Sequence, residues 1–284
     1  MNQDHLISRR HFIATTGVVA GGTLINPDSR RATPSDQADD SHTFSIGMEV
    51  LKNVYQVGGS LSGITHTTGD ANYDDCNTYV LKTPKGLIML DCGCGDTLEQ
   101  IFGNMSYYGL NPSDIKACLI THPHLDHAGA AYLLKKRGVA LYAGKSTADA
   151  IQSGDERCCG FLYHKEFKPC TVDHIVADGE VTDVLGLKIK AMLLPGHTAG
   201  CTIYMFDHDG KRIVLSGDVI GTLLAGFFGW SGSVDFNKTA YIESLKRFAK
   251  LDFDVMLVGH GLICYHQPKR RIEEVLNQAL MQWR

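Results

Sequence analysis

A run of metal-binding side chains constrains this sequence more than any other feature. Residues 120–129 read ITHPHLDHAG and place four such side chains within six positions: His122, His124, Asp126 and His127. Three imidazoles and a carboxylate that close together do not form an apolar core, and they are groups that bind transition metals. Taken alone, the segment leaves open whether it binds one metal, two metals or none.

The geometry of the segment favours two incomplete sites over one. The apolar run of residues 115–121 predicts a buried strand that ends immediately before His122. In an extended chain alternate side chains face the same side, so His122 and His124 can converge on one point. Asp126 and His127 follow where the chain turns into a helix. They must point elsewhere, because four ligands this close in sequence cannot surround one ion at about 2.0–2.2 Å without strain.

Three further residues are expected to complete the sites. His197 in LLPGHTAG, Asp218 in VLSGDV and His260 in LVGHG each follow an apolar run and a glycine, at the end of a predicted strand. In α/β proteins this edge is where ligand-binding and catalytic groups gather. The other histidines lie in the leader, in loops or beside a turn and are predicted to be ordinary residues outside the site: His5, His11, His42, His66, His164, His174, His208 and His266.

Strands and helices alternate along the chain, which predicts the α/β class. Residues 201–218 predict a hairpin with Asp209 and Gly210 as its two-residue turn. Residues 155–170 have no clear period and predict a loop or an insertion. No linker divides residues 44–284, so they are predicted to form one domain.

The first 43 residues have the layout of an export signal and a disordered leader. Arg9 and Arg10 in SRRHFI precede a weakly apolar run and then a polar stretch, a pattern that resembles the twin-arginine export signal. The apolar run is too short and too interrupted by glycine to span a bilayer. The sequence therefore predicts a protein that engages the export machinery and reaches the periplasm after signal removal, without stable membrane insertion.

Composition narrows the range of partners. Hydrophobic residues make up 44% of the chain and charged residues 20%, with a net charge of −4, as is typical of a soluble globular protein. No basic patch stands out, so nucleic acid is not an expected partner, and a small molecule is the expected substrate. The nine cysteines match no zinc-binding spacing and are expected to be mostly free and buried.

The order of the motifs resembles that of the metallo-β-lactamase fold superfamily. HxHxDH at residues 122–127, PGHTxG around His197, SGD at Asp218 and GH at His260 follow one another in that order, and the resemblance covers essentially the whole chain after the leader. It implies a four-layer αββα sandwich, in which two sheets pack face to face between outer helices. A serine nucleophile is not indicated, because GWSGS around Ser231 departs from the G-x-S-x-G pattern.

The resemblance also implies how two divalent metal ions would share the ligands: His122, His124 and His197 at the first ion, Asp126, His127 and His260 at the second, and Asp218 bridging both. Asp91 would orient a ligand without binding metal. Imidazole and carboxylate together favour zinc, with iron or manganese as alternatives.

The implied activity is hydrolysis. Two metal ions about 3.5–4 Å apart lower the pKa of a shared water from about 15.7 towards about 7, and the resulting hydroxide would attack an ester, lactone, thioester or β-lactam carbonyl. Asp126 would be catalytic as well as a ligand, by relaying a proton to the leaving group. The alternatives are a phosphodiesterase and a mononuclear iron oxidoreductase similar to persulfide dioxygenases, which would use only His122, His124 and Asp218.

The motifs leave the substrate open. The bridging Asp218 favours the branch that includes glyoxalase II-like and lactonase-like enzymes, although Gly221 stands where those lactonases carry a tyrosine. Two aromatic segments, residues 160–167 and residues 223–230, have two interpretations. They either line an apolar substrate pocket or pack as core under a loop.

Overall fold

The chain is represented by a computed structural model that describes residues 48–59, 75–221 and 228–283. The predicted leader at residues 1–43 lies outside these ranges, and so does Phe227 in the second aromatic segment. Within the described ranges, none of the helices has both the length and the apolar character that crossing a bilayer requires.

Seven strands of the described chain form a first sheet in sequence order: β1 (Met48–Leu51), β2 (Val54–Gln56), β3 (Tyr79–Thr83), β4 (Gly86–Leu90), β5 (Ile115–Leu119), β6 (Ala140–Gly144) and β7 (His174–Val176). Neighbours from β1 to β4 are antiparallel, whereas β4 to β7 run parallel. Parallel neighbours require crossover connections, and helices provide them: α1 (Leu98–Tyr107), α2 (Leu125–Ala128), α3 (Ala131–Lys136) and α4 (Lys145–Ser153).

A second sheet contains five described strands in the order β12-β11-β10-β9-β8. They are β8 (Val181–Val184), β9 (Leu187–Leu193), β10 (Thr202–His208), β11 (Lys211–Gly217) and β12 (Val255–Val258). The predicted hairpin is β10–β11, and its turn residues Asp209 and Gly210 both have a positive φ, 49° and 73°, as a type I′ turn requires. Two helices follow in this half: α5 (Lys238–Phe248), which leads to β12, and α6 (Pro268–Gln282).

Three buried clusters show how the layers pack. One lies between the sheets and contains Tyr79 of the first sheet and Tyr204 of the second. Another lies between the first sheet and α1, α3 and α4, and includes Met105. The third lies between the second sheet and α5 and α6, and includes Phe248. The order helix, sheet, sheet, helix confirms the predicted αββα sandwich.

The irregular segment predicted at residues 155–170 contains only two short 3-10 turns, Glu156–Cys158 and Gly160–Tyr163. All nine cysteines lie in the described residues and none of them forms a disulfide there. Seven are buried, and Cys170 and Cys264 are partly exposed, as expected for mostly free and buried thiols.

Candidate metal centre

The predicted ligands lie where strands end, on one edge of the two sheets. Asp91 and His122 follow β4 and β5, which are parallel neighbours. Asp218 and His260 follow β11 and β12, which are also parallel neighbours. His197 follows β9, which has the same direction as β11 because both are antiparallel to β10. Carboxyl ends of strands with one direction meet at one edge, and the side chains are therefore brought together.

Three ring nitrogens converge in a first cluster, formed by His122, His124 and His197. Nε2 of His197 lies 3.2 Å from Nε2 of His122 and 3.2 Å from Nδ1 of His124. All three side chains are buried. Zn–N bonds of about 2.0–2.1 Å in a tetrahedral site separate the ligand nitrogens by about 3.3 Å, so the spacing of this cluster fits one such ion.

Hydrogen bonds behind two of these rings determine which nitrogen carries the proton. The hydroxyl of Thr121 donates to Asp91 Oδ2 at 2.8 Å, so it accepts from Nδ1 of His122 at 3.1 Å. Nδ1 of His197 lies 2.7 Å from the carbonyl oxygen of Trp230, to which it donates. Nε2 therefore keeps its lone pair in both rings.

His124 is oriented in the same way. Ser233 Oγ donates to Asp235 Oδ1 at 2.7 Å and so accepts from Nε2 of His124 at 3.2 Å, which leaves Nδ1 unprotonated. Burial is the main cause that lowers the pKa of His122, of His124 (to about 3) and of His197. Three neutral rings thus point lone pairs at one another, an arrangement that a cation between them stabilises.

Asp126, His127 and His260 form a second cluster. Nε2 of His260 lies 3.0 Å from Asp126 Oδ2, and Nε2 of His127 lies 3.4 Å from the same oxygen and 3.3 Å from Nε2 of His260. Burial lowers the pKa of both histidines, but neighbouring acidic groups outweigh it. The carboxylates of Asp218 and Asp126 raise the pKa of His260 to about 10. Cys76 and the nearby carboxylates raise the pKa of His127 well above its usual range. This cluster therefore attracts positive charge.

Asp218 lies between the two clusters. Its Oδ2 is 3.7 Å from Nε2 of His197 and 3.4 Å from Nε2 of His260, and its Oδ1 is 3.3 Å from Nε2 of His127. Oδ1 is buried without a hydrogen-bond partner among the described residues. An unsatisfied buried acceptor is costly, and a cation beside it would satisfy it.

Glycines permit the close approach of the strand ends. A Cβ at Gly259, just before His260, would clash with Asp218 Oδ1 and lie 2.9 Å from Cε1 of His127. Gly196, just before His197, has a φ of +149°, and a Cβ there would clash with the backbone of Tyr241. Side chains at these two positions would push the ligands apart.

The described residues therefore fit a pair of divalent cations. The structure brings all seven predicted ligands together in two groups of three with one carboxylate between them. Their roles as ligands stay predictions. The donor set of imidazole and carboxylate is the one that zinc accepts.

Sequence reasoning missed the residues that orient these rings. Thr121 directly precedes the motif, but nothing in the local pattern indicates its role. Trp230 and Ser233 lie 33 and 109 positions from the histidines that they contact. Their segment has no regular pattern, so no local signal marks them.

Each aromatic segment contains one residue that packs in the core and one that is exposed, so both predicted interpretations apply in part. Phe167 is buried in the core next to the first sheet, and Phe228 packs beside Trp283 in the core next to the second sheet. Trp230 is 40% exposed and its ring centroid lies 6.1 Å from that of His124. Phe161 is 51% exposed. The segments therefore contribute both core and an accessible aromatic surface beside the site.

Comparison with known proteins identifies relatives over most of the chain. The sequence model of the family described as "Metallo-beta-lactamase superfamily" matches residues 71–260. An atrochrysone carboxyl ACP thioesterase of Aspergillus fumigatus is 24% identical over 73% of this chain and 57% of its own length. A hydroxyacylglutathione hydrolase, GloC of Haemophilus influenzae, is 29% identical over 64% of this chain and 84% of its own length. The chain thus spans little more than half of the thioesterase.

Solved structures of similar fold include bacterial enzymes. The FEZ-1 metallo-beta-lactamase of Legionella gormanii superposes with a TM-score of 0.66 at 23% identity, over 84% of this chain and 95% of that one. The metallo-beta-lactamase GOB-18 of Elizabethkingia meningoseptica superposes with a TM-score of 0.65 at 20% identity, over 93% of this chain and 97% of that one. At these identities the likeness establishes the fold.

Proposed function

The chain belongs to the metallo-beta-lactamase superfamily, and on this premise we propose that it is a hydrolase in which two divalent metal ions act on an acyl substrate. The observation that carries the proposal is the first cluster, where three neutral imidazoles turn their lone pairs to one point. The second cluster and the unsatisfied oxygen of Asp218 support a second ion.

Two bound ions would polarise the substrate carbonyl and make a bound water acidic. The side chains of the chain supply orientation and proton transfer. His122, His124 and His197 are held in one tautomer by their outer hydrogen bonds, so their geometry is preorganised. Asp126 belongs to the second cluster, and its carboxylate would take a proton from the attacking water and return it to the leaving atom. The water oxygen bonds to the acyl carbon as the bond to the leaving atom breaks.

An apolar acyl group is the substrate feature that the surroundings favour. Four large apolar side chains are exposed within or just after the two aromatic segments: Phe161, Leu162, Trp230 and Val234. Such a surface suits an acyl chain better than a phosphodiester, and the two curated relatives named above are a thioesterase and a hydroxyacylglutathione hydrolase by name. We therefore propose esters, lactones and thioesters as the substrate class.

Metal quantification and a hydrolysis screen test this proposal together. The purified protein is expected to hold two zinc ions per chain and to hydrolyse thioesters, esters or lactones in preference to phosphodiesters. One iron ion per chain with oxidation of a persulfide would instead establish the mononuclear oxidoreductase. A phosphodiesterase activity without acyl hydrolysis would also contradict the proposal.

We also propose export through the twin-arginine route, supported by Arg9 and Arg10 ahead of the weakly apolar run. Replacement of both arginines by lysine is expected to retain the protein in the cytoplasm on cell fractionation. Periplasmic recovery of that variant would contradict this route.

A further inference from the structure

An apolar cavity adjoins the second cluster. It has a volume of about 170 Å³, and its lining includes His260 together with Met256 and Val258 of β12. An apolar cavity of about 150 Å³ holds one benzene molecule. The cavity beside His260 therefore has room for a group of about six carbon atoms.

The chain returns along β12 after His260 and forms one wall of this cavity. Backbone hydrogen bonds of 3.0 Å in both directions join Met256 and Cys264, which pair as an antiparallel bridge. Leu262 and Cys264, two positions apart, both line the cavity, as expected for alternate residues of an extended segment. The wall is thus held to the strand that leads to His260, so the fold sets where the cavity lies relative to the second cluster.

Two further parts of the chain contribute to the lining. Ile220 follows Asp218 by two positions, Arg271 belongs to α6, and both line the cavity. The side chain of Arg271 is 13% exposed and forms an ion pair of 4.0 Å with Glu274, which offsets its charge. Arginine also presents an apolar stem, so this lining favours an uncharged apolar group.

The cavity and the exposed indole of Trp230 lie beside different clusters. The ring centroid of Trp230 is 6.1 Å from that of His124, in the first cluster, whereas the cavity adjoins His260, in the second. Nε2 of His260 lies 3.0 Å from Oδ2 of Asp126, the residue that would return the proton to the leaving atom. A substrate whose acyl chain lies along Trp230 would therefore place its leaving atom beside Asp126 and the group attached to that atom in the cavity.

From this placement we infer that the cavity binds the alcohol or thiol portion of the substrate and limits it to an apolar group of about six carbon atoms. This inference rests on the proposed hydrolase function. It narrows the substrate class to esters or thioesters with an apolar group on each side of the bond that breaks. The oxygen of water bonds to the acyl carbon, the bond to the leaving oxygen or sulfur breaks, and that atom takes the proton, so nothing is oxidised or reduced.

The test varies the leaving group in the metal-loaded full-length protein. Ethyl, hexyl and octyl esters or thioesters of one acyl group are compared, and the hexyl compound should be hydrolysed fastest. Cys264→Phe fills part of the cavity and should slow the hexyl compound by about tenfold or more relative to the ethyl compound. Leu262→Ala removes a side chain that is 52% exposed, so the fold should be retained. It widens the cavity and should speed the octyl compound by about tenfold.

A matched control and a second series of substrates separate the cavity from the rest of the site. Val181→Ala truncates an apolar side chain that is 57% exposed on β8, at the other edge of the second sheet from β12, and should leave all three rates unchanged. Ethyl esters or thioesters of different acyl length should respond alike in the wild type and both cavity variants, because the acyl chain is expected along Trp230.

Three outcomes would overturn the inference while the proposed function stands. They are an unchanged leaving-group preference in Leu262→Ala, a shift confined to the acyl series, and hydrolysis of lactones alone. Metal content is measured for each variant, and if Cys264→Phe loses an ion, the result with Leu262→Ala decides. Absence of any acyl hydrolysis by the wild type would overturn the proposed function, and this inference with it.

Discussion

Asp91 and His127 are joined by a hydrogen bond of 2.8 Å between two side chains that are both fully buried. The same carboxylate also accepts from the backbone N–H and the hydroxyl of Thr121, each at 2.8 Å. Thr121 in turn orients His122. The Asp91 carboxylate, which belongs to neither cluster, therefore orients one histidine ring in each of the two clusters.

Replacement of Asp91 by asparagine should weaken metal binding at both clusters. An amide presents a donor where an acceptor is required, so a buried donor of Thr121 or His127 is left without a partner. We expect metal affinity to fall by about 10- to 100-fold and the free energy of unfolding to fall by about 1–3 kcal/mol. Titration calorimetry and chemical denaturation measure the two effects. Asp252→Asn, at an exposed ion pair with Lys269, is the control, and equal behaviour of the two variants would contradict the assigned role.

Substitution of single ligands should distinguish the two metal sites by the number of ions that each variant retains. Removal of the His260 ring is expected to release the second ion and to leave the first cluster intact, so His260→Ala should retain about one ion per chain. Asp218→Ala and His122→Ala should lose more metal and at least about 100-fold in hydrolysis, because changes that only misorient a ligand already cost about 10- to 100-fold. Elemental analysis and initial rates measure the outcome. His208→Ala removes a ring that hydrogen-bonds the carbonyl of Lys52 and should retain both ions. Unchanged activity in His122→Ala would refute the ligand assignment.

The fold and the ligands could be predicted because they depend on local patterns. Asp209 and Gly210 indicate a hairpin turn by residue type alone, and His197, Asp218 and His260 each follow a buried strand in the same local context. The contacts of Ser233 and Trp230 could not be predicted in this way. They depend on how irregular segments fold back across many positions, and neither spacing nor period encodes that path.

Asp75 should make the stability of the protein depend on pH. Burial raises the pKa of this carboxyl group from 3.8 to about 6. Between these values the folded protein keeps a proton that the unfolded chain releases, so the contribution of Asp75 to stability is fully present below about pH 4 and is lost as the pH rises to about 6. Asp75→Asn cannot ionise, yet it keeps an acceptor for the backbone N–H of Cys94, which donates to Asp75 at 2.6 Å.

The expected result is a difference between variant and wild type that changes with pH. Denaturant unfolding should show that Asp75→Asn gains stability relative to the wild type from about pH 4 to about pH 6 and that the gain then levels off. Asp114→Asn, at an exposed position, should show no such trend. A constant difference across this range would show that Asp75 does not titrate as described.

Trp230→Ala should alter substrate selectivity more than stability. The indole is 40% exposed beside His124, whereas the hydrogen bond to His197 comes from the backbone carbonyl and survives the substitution. Each methylene in contact with an apolar wall is worth about 1–3 kcal/mol in selectivity, so the preference among acyl chain lengths is expected to shift by about tenfold or more. The free energy of unfolding should change by only about 0.5 kcal/mol. Trp283→Ala is the comparison variant, because Trp283 is partly buried against Phe228 and Tyr241. Its loss should lower the free energy of unfolding by about 1.5–3 kcal/mol without a change in selectivity. A large loss of stability in Trp230→Ala with unchanged selectivity would assign its ring to the core instead of the pocket wall.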